Sequence, residues 1–143
     1  MVSEARSPLI RFLLGGLLAF GALNAVAGGF YGLSGAEGVP LELLEGSPFT
    51  SYYIPSLILL VVVGGSFLFA AIAVFADSRI ARVSARGAGA VVLVWIVVQV
   101  SIIGYMSWMQ PTTAVGGLLI LLLSWLLPRP CVPSHVASSS GVT

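Results

Sequence analysis

Three long stretches of the chain contain no charged residue and consist mainly of Leu, Ile, Val, Ala and Gly. They cover residues 12–36, 46–76 and 87–128. A charged side chain at the centre of a bilayer helix costs ~2.5–3.5 kcal/mol on insertion scales, so uninterrupted stretches of this kind favour insertion. Because about 20 apolar residues cross a bilayer as a helix, the first two stretches predict one span each and the last predicts two.

The pattern therefore predicts an all-α membrane protein, a four-transmembrane-helix bundle of antiparallel up-down arrangement. Pro111 disfavours helical geometry at the residue before it, which places the last turn at Gln110–Thr112. Residues 1–129 form the transmembrane domain, and residues 130–143, rich in Pro and Ser, are predicted to be a disordered cytoplasmic tail. The predicted spans are about 9–32, 53–75, 88–109 and 112–127, with an outer loop 33–52 and a basic cytoplasmic loop 76–87.

The outer loop contains signals for a short helix at the membrane surface. Pro40 suits a first helical turn and Gly46 suits a helix end, with Leu41 and Leu44 on one side between them. Three carboxylates, two tyrosines and a tryptophan are expected on the same side of the membrane. This outer-surface patch, Glu37, Glu42, Glu45, Tyr52, Tyr53 and Trp108, is either a docking patch or the ordinary aromatic belt of a membrane protein.

The arginines assign an orientation. All six fall on one side of the predicted bundle, and by the positive-inside rule both termini are cytoplasmic. Arg79, Arg82 and Arg86 are three and four residues apart, so a helical continuation would place them on one face towards anionic lipid head groups. The alternative is a solvated loop that only sets the topology.

The N-terminus is compatible with two interpretations. Arg6 and Arg11 precede an apolar run that ends in Ala25-Val26-Ala27, which also matches a signal peptide cleaved after residue 27. The following residues, Gly28 to Tyr31, keep the run apolar, which favours a retained first span.

Composition supports the membrane assignment and excludes several activities. The chain is 58% hydrophobic and 8% charged, has a net charge of +1 and contains no Lys, so nucleic acid is not an expected partner. The single His135 and single Cys131 lie in the tail, which argues against bis-histidine haem and against thiol redox chemistry. The predicted spans contain no carboxylate for proton coupling. We therefore expect no catalytic residue, no cofactor and no metal.

Small residues recur at helical spacing in the first two spans. In lipid, such residues allow helix backbones to approach closely and mark a packing face. That face serves either contacts inside one bundle or a homodimer interface. The residues are Gly21, Ala25, Gly28, Gly32, Gly64 and Gly65.

Asn24 and Gln99 are the amide side chains inside the predicted spans. Each costs several kcal/mol if it faces hydrocarbon without a partner. Their depths differ by only ~6 Å at 1.5 Å rise per residue, so they are expected to contact each other or to join Tyr105 at a ligand pocket. An interhelical hydrogen bond and a polar point in a pocket both fit this pattern.

Two segments resemble a family of small uncharacterised bacterial membrane proteins with four spans. They are GGFYGLSGAEGVPLELLEGSPFTSYYIPSLILLVVVGG and WIVVQVSIIGYMSWMQP. The resemblance, over about residues 15–127, implies the four-helix layout and a bacterial inner-membrane location, but no reaction, ligand or catalytic residue.

Three functions are compatible with these observations. The first is a non-enzymatic protein, either an accessory subunit of a larger membrane complex or a self-associating structural bundle. The alternative is a small transport or lipid-binding module with a pocket near Asn24 and Gln99 and the outer loop as its cover. The third is an enzyme using the outer-loop carboxylates, which has least support.

Overall fold

The computed structural model describes the backbone of residues 2–128 and the side chains of residues 7–128. Within that range the chain is helical apart from its connections, and four helices are long and apolar enough to cross a membrane. The predicted multi-pass helical protein is thereby confirmed, whereas the predicted tail 130–143 lies outside the described residues. The helices are α1 (Val2–Leu33), α2 (Tyr53–Phe75), α3 (Ala81–Ile103) and α4 (Met109–Leu126).

Helices α1 and α2 approach closely at glycines. Phe75, at the end of α2, lies against Gly15 in the first half of α1. Ser56, near the start of α2, lies against Gly32 at the end of α1. The contacts run in opposite directions along the two helices, so this pair is antiparallel. A glycine removes the Cβ that would hold the backbones apart, which increases van der Waals contact between them.

Helices α3 and α4 form a second close pair. Gly89 of α3 lies against Leu121 of α4, and Gly117 of α4 lies against Val92 and Leu93 of α3. Helix α2 also contacts α3, and α4 contacts α1, so each helix packs against the next and the last packs against the first. The largest fully buried side chains are Leu14, Leu18, Val74, Ile120 and Ser124.

The two ends of the bundle differ in charge. The basic end carries the connection 76–80, together with Arg11, Arg79, Arg82 and Arg86. The acidic end carries segments 34–52 and 104–108 and the side chains of Glu37, Glu42 and Glu45. The described charges lie in the connections or near the ends of the spanning helices, as expected when insertion of a charged group is costly.

Helix α2 ends in a hydrogen-bonded reversal at Asp77. Asp77 has φ +52°, its amide donates to the Val74 carbonyl at 3.3 Å, and the Ser78 amide donates to the Ala73 carbonyl at 3.0 Å. This is the Schellman arrangement, which satisfies the last carbonyls of a helix. The Asp77 carboxylate also pairs with Arg11 of α1, with Oδ1 and Nη2 2.8 Å apart. One residue therefore ends α2 and joins it to α1.

The segment between α1 and α2 contains the expected short helix, a 3-10 helix at Leu41–Leu44 directly after Pro40. Gly46 follows with φ +85°, which suits a glycine at this reversal. Leu41 and Leu44, predicted on one side, differ in environment. Leu41 is 60% exposed and Leu44 is buried, because only Leu44 reaches the space between α2 and α3.

The turn between α3 and α4 differs from its predicted position at Gln110–Thr112. Helix α3 ends at Ile103 and is followed by Gly104 at φ +69°, and α4 begins at Met109 with Pro111 in its first turn. Amides of a first turn have no acceptor within the helix, so proline is tolerated there. Pro111 therefore starts α4, and the boundary of α3 depends on Gly104.

The basic connection is shorter than the predicted loop 76–87. Helix α3 begins at Ala81, so Arg82 and Arg86 lie inside it and only Arg79 precedes it. The prediction that these arginines lie on one helical face is correct for Arg82 and Arg86, which are one turn apart. The shorter connection follows from the early start of α3, whose arginines contact α4 as described below.

Candidate functional site

Helices α2 and α3 diverge towards the acidic end of the bundle. Helix α3 packs closely against Gly65–Phe75 of α2, less closely against Leu59–Gly64, and has no comparable contact with Tyr53–Ile58. The first half of α2 instead follows α1, where Gly28, Gly29 and Gly32 permit a close approach. The separation leaves a cleft between α2 and α3, which we call the α2–α3 cleft.

The middle of α2 has π-helical geometry over Leu59–Gly64. A π segment widens the helix locally and occurs frequently at functional sites. Here it contributes to the walls of the cleft. Leu59 borders the part nearer the acidic end, and Val62 and Val63 border the part nearer the middle of the bundle. The local distortion and the cleft therefore coincide.

The cleft consists of two adjoining spaces. A cavity of about 200 Å³ lies nearer the acidic end. A groove of about 340 Å³, lined almost entirely by aliphatic side chains, continues towards the middle of the bundle. Ile58, Trp95 and Val98 border both spaces. The remaining walls of the cavity are Leu44, Phe49, Tyr52, Pro55, Ser56, Leu59, Gln99, Ile102 and Ile103.

Gln99 is the side-chain amide that borders this cavity. It lies half-buried on α3 among aliphatic and aromatic side chains. Within residues 7–128 its amide has no hydrogen-bond partner, whereas the nearby Ser101 hydroxyl donates to the Val97 carbonyl of its own helix at 2.7 Å. An amide at membrane depth is costly when unpaired, so Gln99 is suited to bind a polar group of an incoming molecule.

The segment 34–52 covers the acidic end of the cleft. Leu44 and Phe49 contribute to the cavity wall from this segment. Two tyrosine hydroxyls hold the segment in place: Tyr52 donates to the Pro40 carbonyl at 2.7 Å, and Tyr31 donates to the Glu37 carbonyl. Burial raises the pKa of the Tyr52 hydroxyl above its ordinary value of 10.0, so at neutral pH the hydroxyl keeps the proton that it donates.

The structure does not bring Asn24 and Tyr105 to Gln99. Asn24 is exposed on α1, and its Nδ2 donates to the Phe20 carbonyl of the same helix at 2.8 Å. Tyr105 lies in the turn after α3, is 69% exposed and borders neither space of the cleft. Asn24 and Gln99 do not contact each other despite their similar predicted depth, because α1 and α3 are not neighbouring helices in the bundle.

The small residues of the predicted packing face mostly lie between α1 and α2. A Cβ at Gly21 would overlap Phe67, and one at Gly32 would overlap Ser56. Gly28 lies against Leu59, and Gly64 lies against Ala25. Gly65 differs, since it is exposed and a Cβ there would have no atom within 4 Å. Of the two interpretations of this face, packing within one bundle accounts for five of the six residues, Gly21, Ala25, Gly28, Gly32 and Gly64.

The outer-surface patch lies around the cover of the cleft and in the following turn. Glu37, Glu42 and Glu45 are all exposed, and Glu45 directly follows Leu44 of the cavity wall. Tyr53 and Trp108 are also exposed, whereas Tyr52 is half-buried in the cavity wall. The carboxylates therefore lie on the segment that covers the cleft and do not line the cavity.

The arginines predicted to face lipid head groups have different surroundings. Arg79 is exposed. Arg82 donates through Nη2 to the Leu127 carbonyl at the end of α4, and the Arg86 guanidinium lies 4.6 Å from the centre of the Trp125 ring. These two side chains thus stabilise the end of α4, where a cation also interacts favourably with the helix dipole.

Three residues of structural or functional interest were not recognised from the sequence. Trp95 borders both spaces of the cleft, and Ser56 borders the cavity and contacts Gly32. Gln110 was placed in the turn at Gln110–Thr112 but lies inside α4 and is only 5% exposed. Its Nε2 donates to the Gly104 carbonyl, and its Oε1 accepts from the Met106 amide, both at 3.1 Å. The glycine six residues before Gln110, a residue type that commonly ends helices, was the available signal for this turn.

No protein-family model, curated protein or solved structure matches this chain. The resemblance to small bacterial four-span proteins therefore stays a prediction. Among residues 7–128, no three His, Cys, Asp or Glu side chains come together as metal ligands. The α2–α3 cleft is the feature from which a function can be argued.

Proposed function

We propose that this protein is a non-enzymatic, multi-pass protein of a bacterial inner membrane that binds a lipid or another hydrophobic molecule in the α2–α3 cleft. The observation that supports this proposal most is the position of Gln99, an amide without a partner among residues 7–128 that borders an otherwise largely apolar cavity. Ligand sites are commonly apolar clefts with a few placed polar groups.

The shape of the cleft indicates how such a molecule would bind. The cavity and the groove adjoin along α3 from Ile103 to Ala90, which corresponds to about 20 Å at 1.5 Å rise per residue. An extended alkyl chain would occupy the groove, and its polar end would lie near Gln99 and Tyr52. Burial of the chain against Val94 and Val98 then supplies most of the van der Waals contact.

The expected orientation places both termini in the cytoplasm, since the arginines lie at the basic end. Single cysteines in a Cys131→Ser background test this arrangement. Thr50→Cys at the acidic end should react with a membrane-impermeant maleimide in intact spheroplasts, whereas Ala76→Cys at the basic end should react only after lysis. Labelling of Ala76→Cys from outside would contradict the proposed orientation.

Lipid retention tests the proposed binding. The full chain, extracted in a mild detergent and analysed by native mass spectrometry, should retain a hydrophobic molecule at defined stoichiometry. Val98→Phe fills the cleft and should abolish retention. Val97→Phe is the matched control, because Val97 is 65% exposed and borders neither space. Equal retention by the two variants would contradict binding in the cleft.

Gln99→Leu tests the polar contribution separately. It preserves the side-chain size approximately and removes the amide, so retention should decrease while thermal stability is kept or increased. Ser101→Ala on the same helix is the control, since the Ser101 hydroxyl bonds to its own helix. Unchanged retention in Gln99→Leu would count against a role for the amide.

A second candidate is an accessory subunit of a larger membrane complex or a self-associating bundle. Three glycines favour it, the exposed Gly16 and Gly65 and the half-buried Gly116, because each has open space where a Cβ would be and could admit a partner helix. A stoichiometric partner or an oligomer in native mass spectra that is lost in Gly65→Leu, but kept in Gly87→Leu near the basic end, would support it. A monomer with bound lipid would favour the cleft proposal.

A further inference from the structure

The acidic end of the α2–α3 cleft, which we call its entrance, is covered by a segment that carries three carboxylates, and the described arginines lie at the opposite end of the bundle. Glu37, Glu42 and Glu45 are exposed on the segment that covers the cleft. The described arginines lie at the basic end, and the ion pair formed among residues 7–128 joins Arg11 to Asp77 there. The carboxylates at the entrance are therefore not neutralised by the protein within this range.

The interior of the cleft suits the apolar part of an amphiphile. The groove is almost wholly aliphatic, and its walls lie within the membrane-spanning parts of α2 and α3. Trp95 and Tyr52 add aromatic surface to the cavity, and Gln99 adds a polar group near the cover. Aromatic faces attract cations, especially where water is excluded.

Charge and shape together select one class of occupant. A carboxylate or phosphate would be repelled at the entrance by Glu42 and Glu45, whereas an ammonium group would be attracted, and clefts with low-dielectric walls strengthen such fields. Resting on the proposed function, we infer that the cleft preferentially binds a cationic amphiphile, with its alkyl chain in the groove and its ammonium group at the acidic entrance.

Binding of three probes with one chain length tests this inference. The full chain is placed in nanodiscs of zwitterionic phosphatidylcholine, with Trp108→Phe and Trp125→Phe so that Trp95 alone reports. Dodecyltrimethylammonium, dodecanol and dodecanoate are titrated, and each is corrected for its partitioning into protein-free discs. The ammonium compound should bind about tenfold more tightly than the carboxylate, with the alcohol between them and the difference reduced by salt.

Variants in which carboxylates are replaced by amides test whether these carboxylates cause the preference for the ammonium compound. Glu37→Gln/Glu42→Gln/Glu45→Gln should reduce the ammonium-to-carboxylate ratio to near unity while leaving dodecanol affinity unchanged. Glu45→Gln alone should reduce it in part. Asp77→Asn is its matched control, since it removes one negative charge at the opposite end, and it should leave the ratio unchanged.

The outcomes separate this inference from the proposed function. Equal affinity for the ammonium and the carboxylate, or an unchanged ratio in the triple variant, would overturn the cationic preference. In that case saturable dodecanol binding that is lost in Val98→Phe and kept in Val97→Phe would still support the cleft. If no probe binds saturably to the wild-type protein, both proposals fail.

Discussion

Ser56 of α2 occupies the space that a side chain at Gly32 of α1 would need. Gly32→Ala should therefore destabilise the protein by about 1–3 kcal/mol, since added volume in a packed interface forces side chains and backbone apart. Unfolding by SDS, followed by circular dichroism, measures the change. Gly16→Ala is the control on the same helix, because a Cβ at Gly16 meets no atom within 4 Å. Equal stability of the two variants would contradict close packing at Gly32.

Asp77 combines a left-handed backbone with an ion pair, and substitutions separate these roles. Asp77→Asn keeps a residue that tolerates positive φ and loses only the pair with Arg11, so we expect a cost of ~0.2–1 kcal/mol. Asp77→Ala also loses the pair, and alanine is strained at positive φ, which adds about 1–2 kcal/mol to the loss of stability.

The Asp77 series has an internal test. In Arg11→Gln protein, Asp77→Asn should cost less than in the wild type, whereas the extra cost of Asp77→Ala over Asp77→Asn should persist, because backbone strain does not depend on Arg11. Thermal unfolding in dodecylmaltoside measures the wild type and the five variants, which are Asp77→Asn, Asp77→Ala, Arg11→Gln and the two Asp77 substitutions combined with Arg11→Gln. An extra alanine cost that vanishes with Arg11 would refute the backbone explanation.

Gln110 stabilises the turn between α3 and α4 through two hydrogen bonds from a buried side chain. Gln110→Leu should lower the free energy of unfolding by about 1–3 kcal/mol, since a turn amide and a carbonyl lose their partner. Thr113→Val is the control in the same turn of α4, because its exposed hydroxyl bonds to the Met109 carbonyl of its own helix. Its effect should stay within about 0.5 kcal/mol.

Arg86 and Trp125 should be energetically coupled. A double-mutant cycle with Arg86→Gln and Trp125→Leu is expected to give about 0.5–2 kcal/mol, the range for a cation–π contact. The same cycle with Arg79→Gln in place of Arg86→Gln should be additive, because Arg79 is exposed and precedes α3. Coupling of equal size in both cycles would indicate a general charge effect instead of the specific contact.

Helix existence was predictable for this chain, whereas both ends of α3 and the start of α4 were not. The positions of α1 and α2 follow from apolar stretches that end in strong signals, Gly35 after α1 and Asp77 after α2. The α3–α4 boundary was misplaced because Pro111 permits both a helix end before it and a helix start around it. Gly104 and the buried Gln110 decide between a helix end and a helix start at Pro111. Their effect depends on a hydrogen bond between two residues that lie six positions apart in the sequence.

The candidate site was predictable only in part. Gln99 was recognisable because an amide within a span needs a partner, but Asn24 met the same criterion and bonds to its own helix. Trp95 and Ser56 gave no signal, since one resembles any aromatic residue of a span and the other any small residue. Whether a side chain borders a cleft depends on the neighbouring helix, which a pattern along one helix does not contain.

The sequence by itself determined that the chain has four helices apolar enough to cross a membrane and that its charges lie near the ends of these helices or outside them. The reason is that the free energy of transferring each side chain into lipid is local and nearly additive. Only the tertiary structure decided that the first half of α2 stays close to the glycines of α1 and separates from α3. The α2–α3 cleft follows from that separation, whereas the exposure of Asn24 and the contacts of Arg82 and Arg86 with α4 follow from how α1, α3 and α4 pack. These features depend on pairwise distances between helices, which arise only when the helices pack together.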